Sequence, residues 1–326
     1  MKRVSYILML CLCGMLPLAA NAETGNIFSK MKSRNILSSL EIAANIGTTG
    51  LGLEVASPVT DMAKIRLGFD GMPHFTQRLE FGVENHIDNQ PGGNFDRIND
   101  LMSKQTGYEA GRSITLEAKP SMETFRCLID IYPFKTNRHW HVTAGFFLGG
   151  NSIGNAINTR EDMATLMTIK MYGALYDDVT SEDFVRNPQN YPLFGMFTFD
   201  TYTAARLQRD MLATGQLGIY AGDRKDGTSC FLMPDNEGLV RMKTKVNRFR
   251  PYIGVGYGGS LSADGRWQAS FDAGVQFWGG TPKLTAEDGT VINDLTNLSK
   301  ATKSYIDLLE MIPVFPTLAF RISYRF

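Results

Sequence analysis

Between Arg266 and Phe277 the chain alternates without interruption. Trp267, Ala269, Phe271, Ala273, Val275 and Phe277 are apolar, while Arg266, Gln268, Ser270, Asp272, Gly274 and Gln276 are polar or small. A β-strand sends successive side chains to opposite faces, so this segment is a strand with one apolar and one polar face. The C-terminus repeats the pattern, with Leu318, Phe320, Ile322, Tyr324 and Phe326 set against Ala319, Arg321, Ser323 and Arg325. Trp140, Val142, Ala144, Phe146 and Leu148 alternate with His139, His141, Thr143 and Gly145. Ile65, Leu67 and Phe69, then Phe125, Cys127, Ile129 and Ile131, then Ile253, Val255 and Tyr257 do the same against polar residues or glycine.

A soluble antiparallel sandwich also alternates. Three features favour a membrane barrel instead. Aromatic residues cluster near strand ends on the apolar face (Trp140, Trp267, Phe277, Trp278, Phe326), as in an interfacial girdle. The opposite face carries charges of both signs, which suits a closed polar interior whose members pair. The last strand ends on an aromatic residue, Phe326. Beyond the N-terminus no run approaches the ~18–20 apolar residues of a membrane helix, which excludes a helical membrane protein. A barrel leaves average hydrophobicity low and is not excluded. Lys and Arg total 33 against 33 Asp and Glu, a balance that gives no support to a nucleic-acid partner.

Lys2 and Arg3 precede an apolar stretch from Val4 to Ala20, closed by Ala20-Asn21-Ala22. This is the basic, apolar and small-x-small order of a secretory signal peptide cut after Ala22. Residues 1–22 are therefore assigned to export, 23–37 to an N-terminal periplasmic segment, and 38–326 to the barrel.

Leu318-Ala-Phe-Arg-Ile-Ser-Tyr-Arg-Phe326 resembles the C-terminal assembly signal of Gram-negative outer-membrane barrels, with Leu318, Phe320, Ile322, Tyr324 and Phe326 carrying it. Gly50-Leu-Gly-Leu-Glu54, Ile65-Arg-Leu-Gly-Phe69, Asp130-Ile-Tyr-Pro-Phe134, Pro251-Tyr-Ile-Gly-Val-Gly256 and Phe271-Asp-Ala-Gly-Val-Gln-Phe-Trp-Gly279 resemble small outer-membrane β-barrel proteins of the OmpA/OmpW size class. The resemblance covers most strands but not the loops. It implies an all-β antiparallel transmembrane barrel in the outer membrane, and it carries over no catalytic residue.

Three stretches contain a register slip, at Gly47–Gly50, at Pro120-Ser-Met and near Asn247. Each is a β-bulge within one strand or a tight turn between two. Short periplasmic turns and long external loops choose between these readings. Gly47–Gly50 becomes an external hairpin, and 112–132 and 240–257 become single bulged strands. Pro58–Asp61, Pro133–Arg138 and Gly258–Gly265 become periplasmic turns. The outcome is eight strands, with long external loops at 76–111, 151–238 and 279–316. Glu161–Tyr176, Thr201–Ala213 and Lys300–Ile312 read as short helices in those loops that pack on one another. The insertion at about 151–238 is the largest.

The inward charges are Glu41, Glu54, Lys64, Arg66, Asp70, Arg126, Asp130, Asp272, Arg321 and Arg325. An eight-stranded barrel is filled by its own side chains, and unpaired charges there would be very costly, so a salt-bridged plug is expected. His139 and His141 share one strand face without a carboxylate or Cys at ligand spacing, and read as solvated rim residues rather than a metal site. His74 beside Asp70 is the one plausible general base for a barrel enzyme. Cys127 on the lipid face and Cys230 in an external loop are expected to stay free.

The expectation is a non-enzymatic outer-membrane barrel acting as a membrane-anchored scaffold or binding surface. A narrow porin is the alternative and a lipid-modifying enzyme the third. Outer-membrane lipid, and the barrel-assembly machinery during insertion, are the expected partners. No cofactor, metal or nucleic acid is implied, and the external ligand is not named by the sequence.

Overall fold

The computed structural model describes residues 39–73, 75–86, 93–134, 136–191, 200–311 and 313–326. Its first strands are β1 (Glu41–Gly47), β2 (Gly50–Thr60), β3 (Ala63–Gly71) and β4 (Gln77–Asn85). Helix α1 (Gly93–Thr106) precedes β5 (Ser113–Pro120), β6 (Glu123–Ile131), β7 (Trp140–Gly149) and β8 (Ser152–Asn158). Helices α2 (Met163–Thr180), α3 (Glu182–Arg186) and α4 (Thr201–Thr214) follow. The chain then runs through β9 (Leu217–Asp223), β10 (Ser229–Leu232), β11 (Arg241–Lys245), β12 (Phe249–Ser260), β13 (Trp267–Phe277) and β14 (Lys283–Ala286). Helix α5 (Lys300–Glu310) leads into β15 (Val314–Arg325).

Eight strands close an antiparallel barrel in the order β1-β15-β13-β12-β7-β6-β3-β2. Closure is made by β1 and β15, from Glu41 opposite Arg325 to Gly47 opposite Ala319. These are the eight strands expected from the alternation, and Gly47–Gly50 is the expected hairpin, with Gly50 at φ 105°. Along the barrel strands the charged residues are mostly buried and the large apolar residues mostly exposed, the inverse of a water-soluble protein. Leu53, Val55, Ile253, Val255, Phe271, Phe320 and Ile322 all face outward. No helix among the described residues is long and apolar enough to cross a membrane.

The remaining seven strands form a second sheet, β10-β9-β4-β5-β8-β11-β14. Its five strands β4, β5, β8, β11 and β14 each adjoin a barrel strand along the chain and keep the lateral order of β3, β6, β7, β12 and β13. The hydrogen-bond ladder runs through the corner. Met72 N–H donates to Met122 O (3.1 Å), Ser121 N–H to Ile153 O (2.9 Å) and Val246 N–H to Asn151 O (3.0 Å). The second sheet is therefore barrel wall continued past a bend.

This corrects the expected bulged strands. Segment 112–132 divides at Ser121–Met122 into β5 and β6, and 240–257 divides near Asn247 into β11 and β12. The parity slip marks a change of sheet. Ile114, Leu116 and Ala118 face a second core, whereas Phe125, Cys127 and Ile129 face outward from the barrel. The layer thus draws on β4, β5, β11, β14 and helices α1 and α5 as well as on residues within 151–238.

The main hydrophobic core lies in this layer. Leu79, Phe81, Ile114, Leu116, Leu217 and Ile219 of the sheet pack with Ile98, Leu166, Ile169, Tyr172 and Ile306 of the helices. Helices α2, α4 and α5 match the three expected ones to within a few residues, while α1 occupies a stretch expected only as loop. Asp200 caps α4 by accepting from Thr203 N–H (2.8 Å), and Ser299 caps α5 by accepting from Thr302 N–H (3.3 Å). Cys230 belongs to this core rather than to a loop; both it and Cys127 are free.

Candidate functional site

Inward-facing positions of the barrel strands build a large ion network around Glu54 and a separate cluster around Glu41. Glu54 on β2 receives three guanidinium groups: Arg321 at 2.7 Å, Arg126 at 2.9 Å and Arg66 at 3.2 Å. Arg66 on β3 also reaches Asp130 on β6 (3.1 Å) and Asp272 on β13 (3.1 Å). In the strand order β3 and β13 lie four strands apart among eight, so the Arg66–Asp272 pair spans the full lumen. Arg126 holds Asp70 (3.2 Å), and Glu41 is shared by Lys64 and Arg325, each at 2.7 Å.

Neutral donors complete the network. Asn45 donates to Asp70 (2.9 Å) and Thr143 donates to Asp130 (2.8 Å). Two inward glycines leave room for the charges. A Cβ on Gly68 would lie 2.8 Å from Arg126 Nε, and one on Gly256 would lie 2.2 Å from His141 Nε2. The glycines in Ile65-Arg-Leu-Gly-Phe69 and Pro251-Tyr-Ile-Gly-Val-Gly256 thus hold space for an ionic interior.

Nine of the ten expected lumen charges are buried inside the barrel: Glu41, Glu54, Lys64, Arg66, Asp70, Arg126, Asp130, Asp272 and Arg321; Arg325 sits at the mouth, reaching Glu41 with its side chain 42% exposed. His141 differs from its expectation. It is buried in the lumen with Nε2 2.8 Å from Asp272, because its parity matches Thr143 and opposes Trp140. His139 remains exposed at the rim, with Nδ1 2.7 Å from Gly258 O. Trp278 also differs: it follows the outward Phe277 directly, so strand geometry turns it inward, and it is buried. Asp70 is fully buried and already bonded to Asn45 and Arg126, so its carboxylate is engaged by the plug. His74 lies outside the described residues, as do Ala20 and Ala22 of the expected signal cleavage site.

At the short-turn end the lumen opens into a cavity of about 420 Å3, lined by Lys64, Tyr132, His139, His141, Arg321 and Arg325 among others. Leu128, Phe147 and Tyr252, on the adjacent strands β6, β7 and β12, form a small apolar patch on one side of the lumen. Beside it lie Arg250, Gln276 and Trp278, three buried residues with side-chain N–H groups that were not among the expected inward charges. Leu318, Phe320, Ile322 and Phe326 are exposed on the barrel exterior, with Tyr324 half-buried between Trp267 and Phe326.

The layer offers a second concavity of about 600 Å3, lined in part by Arg78, Glu117, Lys119, Asn158, Arg160 and Asp162. Beside it a compact loop is built on Asp235. Its carboxylate accepts from the N–H of Glu237 (2.7 Å) and Leu239 (2.9 Å) and pairs with Arg241. Although desolvation opposes ionisation, these partners hold Asp235 below the usual carboxylate range. In the core beneath, burial pushes the Tyr172 hydroxyl up to about 12 while it donates to Gly215 O (2.9 Å). No group of three or more His, Cys, Asp or Glu among the described residues is placed to hold a metal ion.

No family model and no curated protein matches the sequence. Among solved structures, Acinetobacter baumannii CarO2 aligns at 12% identity and a TM-score of 0.37, covering 88% of this chain and 98% of that one. Acinetobacter baumannii CarO aligns at 12% identity and 0.38, covering 89% and 98%. A major outer membrane protein from Thermus thermophilus aligns at 9% identity and 0.29, covering 88% and 98%. Likenesses this distant carry no functional argument, and the barrel assignment rests on the strand pairing itself.

Proposed function

We propose that this protein is an outer-membrane barrel whose plugged interior serves as an anchor and whose second sheet and helices form a binding surface at the cell exterior. The observation that carries this reading is the ion network, above all the Arg66–Asp272 pair across the lumen. An eight-stranded barrel has room for side chains and little else, and here the side chains are bonded wall to wall. The apolar exterior supports a lipid environment, and placing the short turns in the periplasm puts the layer outside. In this reading the signal peptide directs export, the terminal strand ending at Phe326 engages the assembly machinery, and outer-membrane lipid is the surrounding partner. The chemistry performed is recognition, with no catalytic group assigned.

Planar-bilayer conductance of the refolded mature protein tests the proposal, with heat-shifted gel mobility confirming that the barrel has folded. The expected result is silence from folded protein. Discrete conductance steps would replace the anchor with a narrow channel.

A further inference from the structure

The buried charges of the lumen fall into two sets, one compensated and one not. Five carboxylates (Glu41, Glu54, Asp70, Asp130, Asp272) meet five Lys or Arg side chains, and every carboxylate has a cationic partner. Arg250, opposite Phe147 in the ladder and 1% exposed, stands outside these pairs. Its Nε donates to Asn247 O (2.8 Å) and its Nη2 to Gly150 O (2.7 Å), both uncharged carbonyls. Its Nη1 is buried and has no partner among the described residues. A guanidinium shut away from water without a counter-charge is strongly unfavourable.

Two further buried donors share that corner. The ladder sets Tyr252 of β12 opposite Gln276 of β13. Arg250 stands two residues before Tyr252 and Trp278 two residues after Gln276, so the antiparallel pairing brings all three to neighbouring inward positions. Gln276 is fully buried with both amide atoms unpartnered, and the Trp278 indole Nε1 is likewise buried and unpartnered. Three side chains with free N–H groups, one of them permanently cationic, stand at neighbouring inward positions, and none has a carboxylate partner among the described residues.

We propose that Arg250, Gln276 and Trp278 bind a small monoatomic anion, of which chloride is the abundant example. Water would satisfy the hydrogen bonds and leave the charge uncompensated, whereas an anion answers both. The packing favours a single atom over a polyatomic group. A Cβ on Gly149 would lie 2.9 Å from Thr124 Cγ2 and 3.2 Å from Arg250 Nη2, and Trp278 is stacked on Phe315 at 4.9 Å between centroids. Apolar neighbours such as Phe147 and Tyr252 suit a weakly hydrated halide.

Crystals of the full mature protein grown in bromide provide the direct test, through the anomalous signal of bromine. The expected result is a peak in contact with Arg250 and Trp278, and a map without one in a well-ordered barrel overturns the proposal. A solution measurement reads the same site independently. The wild-type melting temperature should rise with chloride concentration at ionic strength held constant with gluconate, and Arg250→Gln should lose that dependence. An equal chloride dependence in a folded Arg250→Gln protein, or none in wild type, overturns it as well. The bromide map needs no variant, so a failure of Arg250→Gln to fold does not shield the proposal.

Discussion

Glu54 is the residue on which the interior turns, because three guanidinium groups share its two oxygens. Glu54→Gln keeps the shape and removes the charge, leaving Arg66, Arg126 and Arg321 with reduced compensation. Breaking a buried pair from one side costs about 3–5 kcal/mol, so this variant should lose its heat-shifted gel mobility at a markedly lower temperature than wild type. Asp235 supplies a pH prediction from outside the membrane. Its folded pKa is depressed, so its contribution is complete above the ordinary carboxylate value of about 3.9 and is lost as pH falls through the lower folded value. Hydrogen exchange of the Glu237 and Leu239 amides should therefore stay protected down to about pH 4 and rise below it, and Asp235→Asn should remove that pH dependence.

Among elements, β7 and β13 carry all three tryptophans at or next to their ends, and parity assigns them to opposite surfaces. Trp140 packs edge-on against Tyr257 (5.0 Å) and Trp267 against Tyr324 (5.1 Å), outward near the short-turn rim, while Trp278 turns inward. In proteins retaining one tryptophan each, brominated lipid should quench Trp140 and Trp267 strongly and spare Trp278. Strong quenching of Trp278 would contradict the inward corner at the end of β13. The barrel strands were legible because lipid outside and charge inside impose an uninterrupted period of two. The second sheet was less so. Leu79, Phe81 and Val83 alternate just as clearly, but β4 lies within a stretch whose length reads as loop, and β5 and β11 adjoin barrel strands closely enough to pass for bulged extensions. The lumen residues were legible and their partners were not. Which charge meets which depends on strands brought face to face across the barrel, as Arg66 and Asp272 are, and no local pattern records that. Arg250 passed unnoticed for a related reason: its neighbours Phe249 and Pro251 give a weak alternation near the Asn247 break.

The whole molecule joins two bodies with inverted interiors, one ionic inside an apolar wall and one apolar beneath polar faces. Leu116→Ala empties part of the second core at a cost of about 2–5 kcal/mol. It should make the layer sensitive to trypsin while the membrane-embedded strands keep their heat-shifted mobility. Simultaneous loss of both would mean that the bend transmits unfolding from one body to the other. Five wall strands run on into the layer by way of short corners, with ladder hydrogen bonds across the bend. Such a joint behaves as a mast, not a tether. Whatever docks on the upper surface would meet it at a fixed standoff and a fixed azimuth relative to the bilayer, and a tug on that surface would be borne as tension along the wall strands themselves.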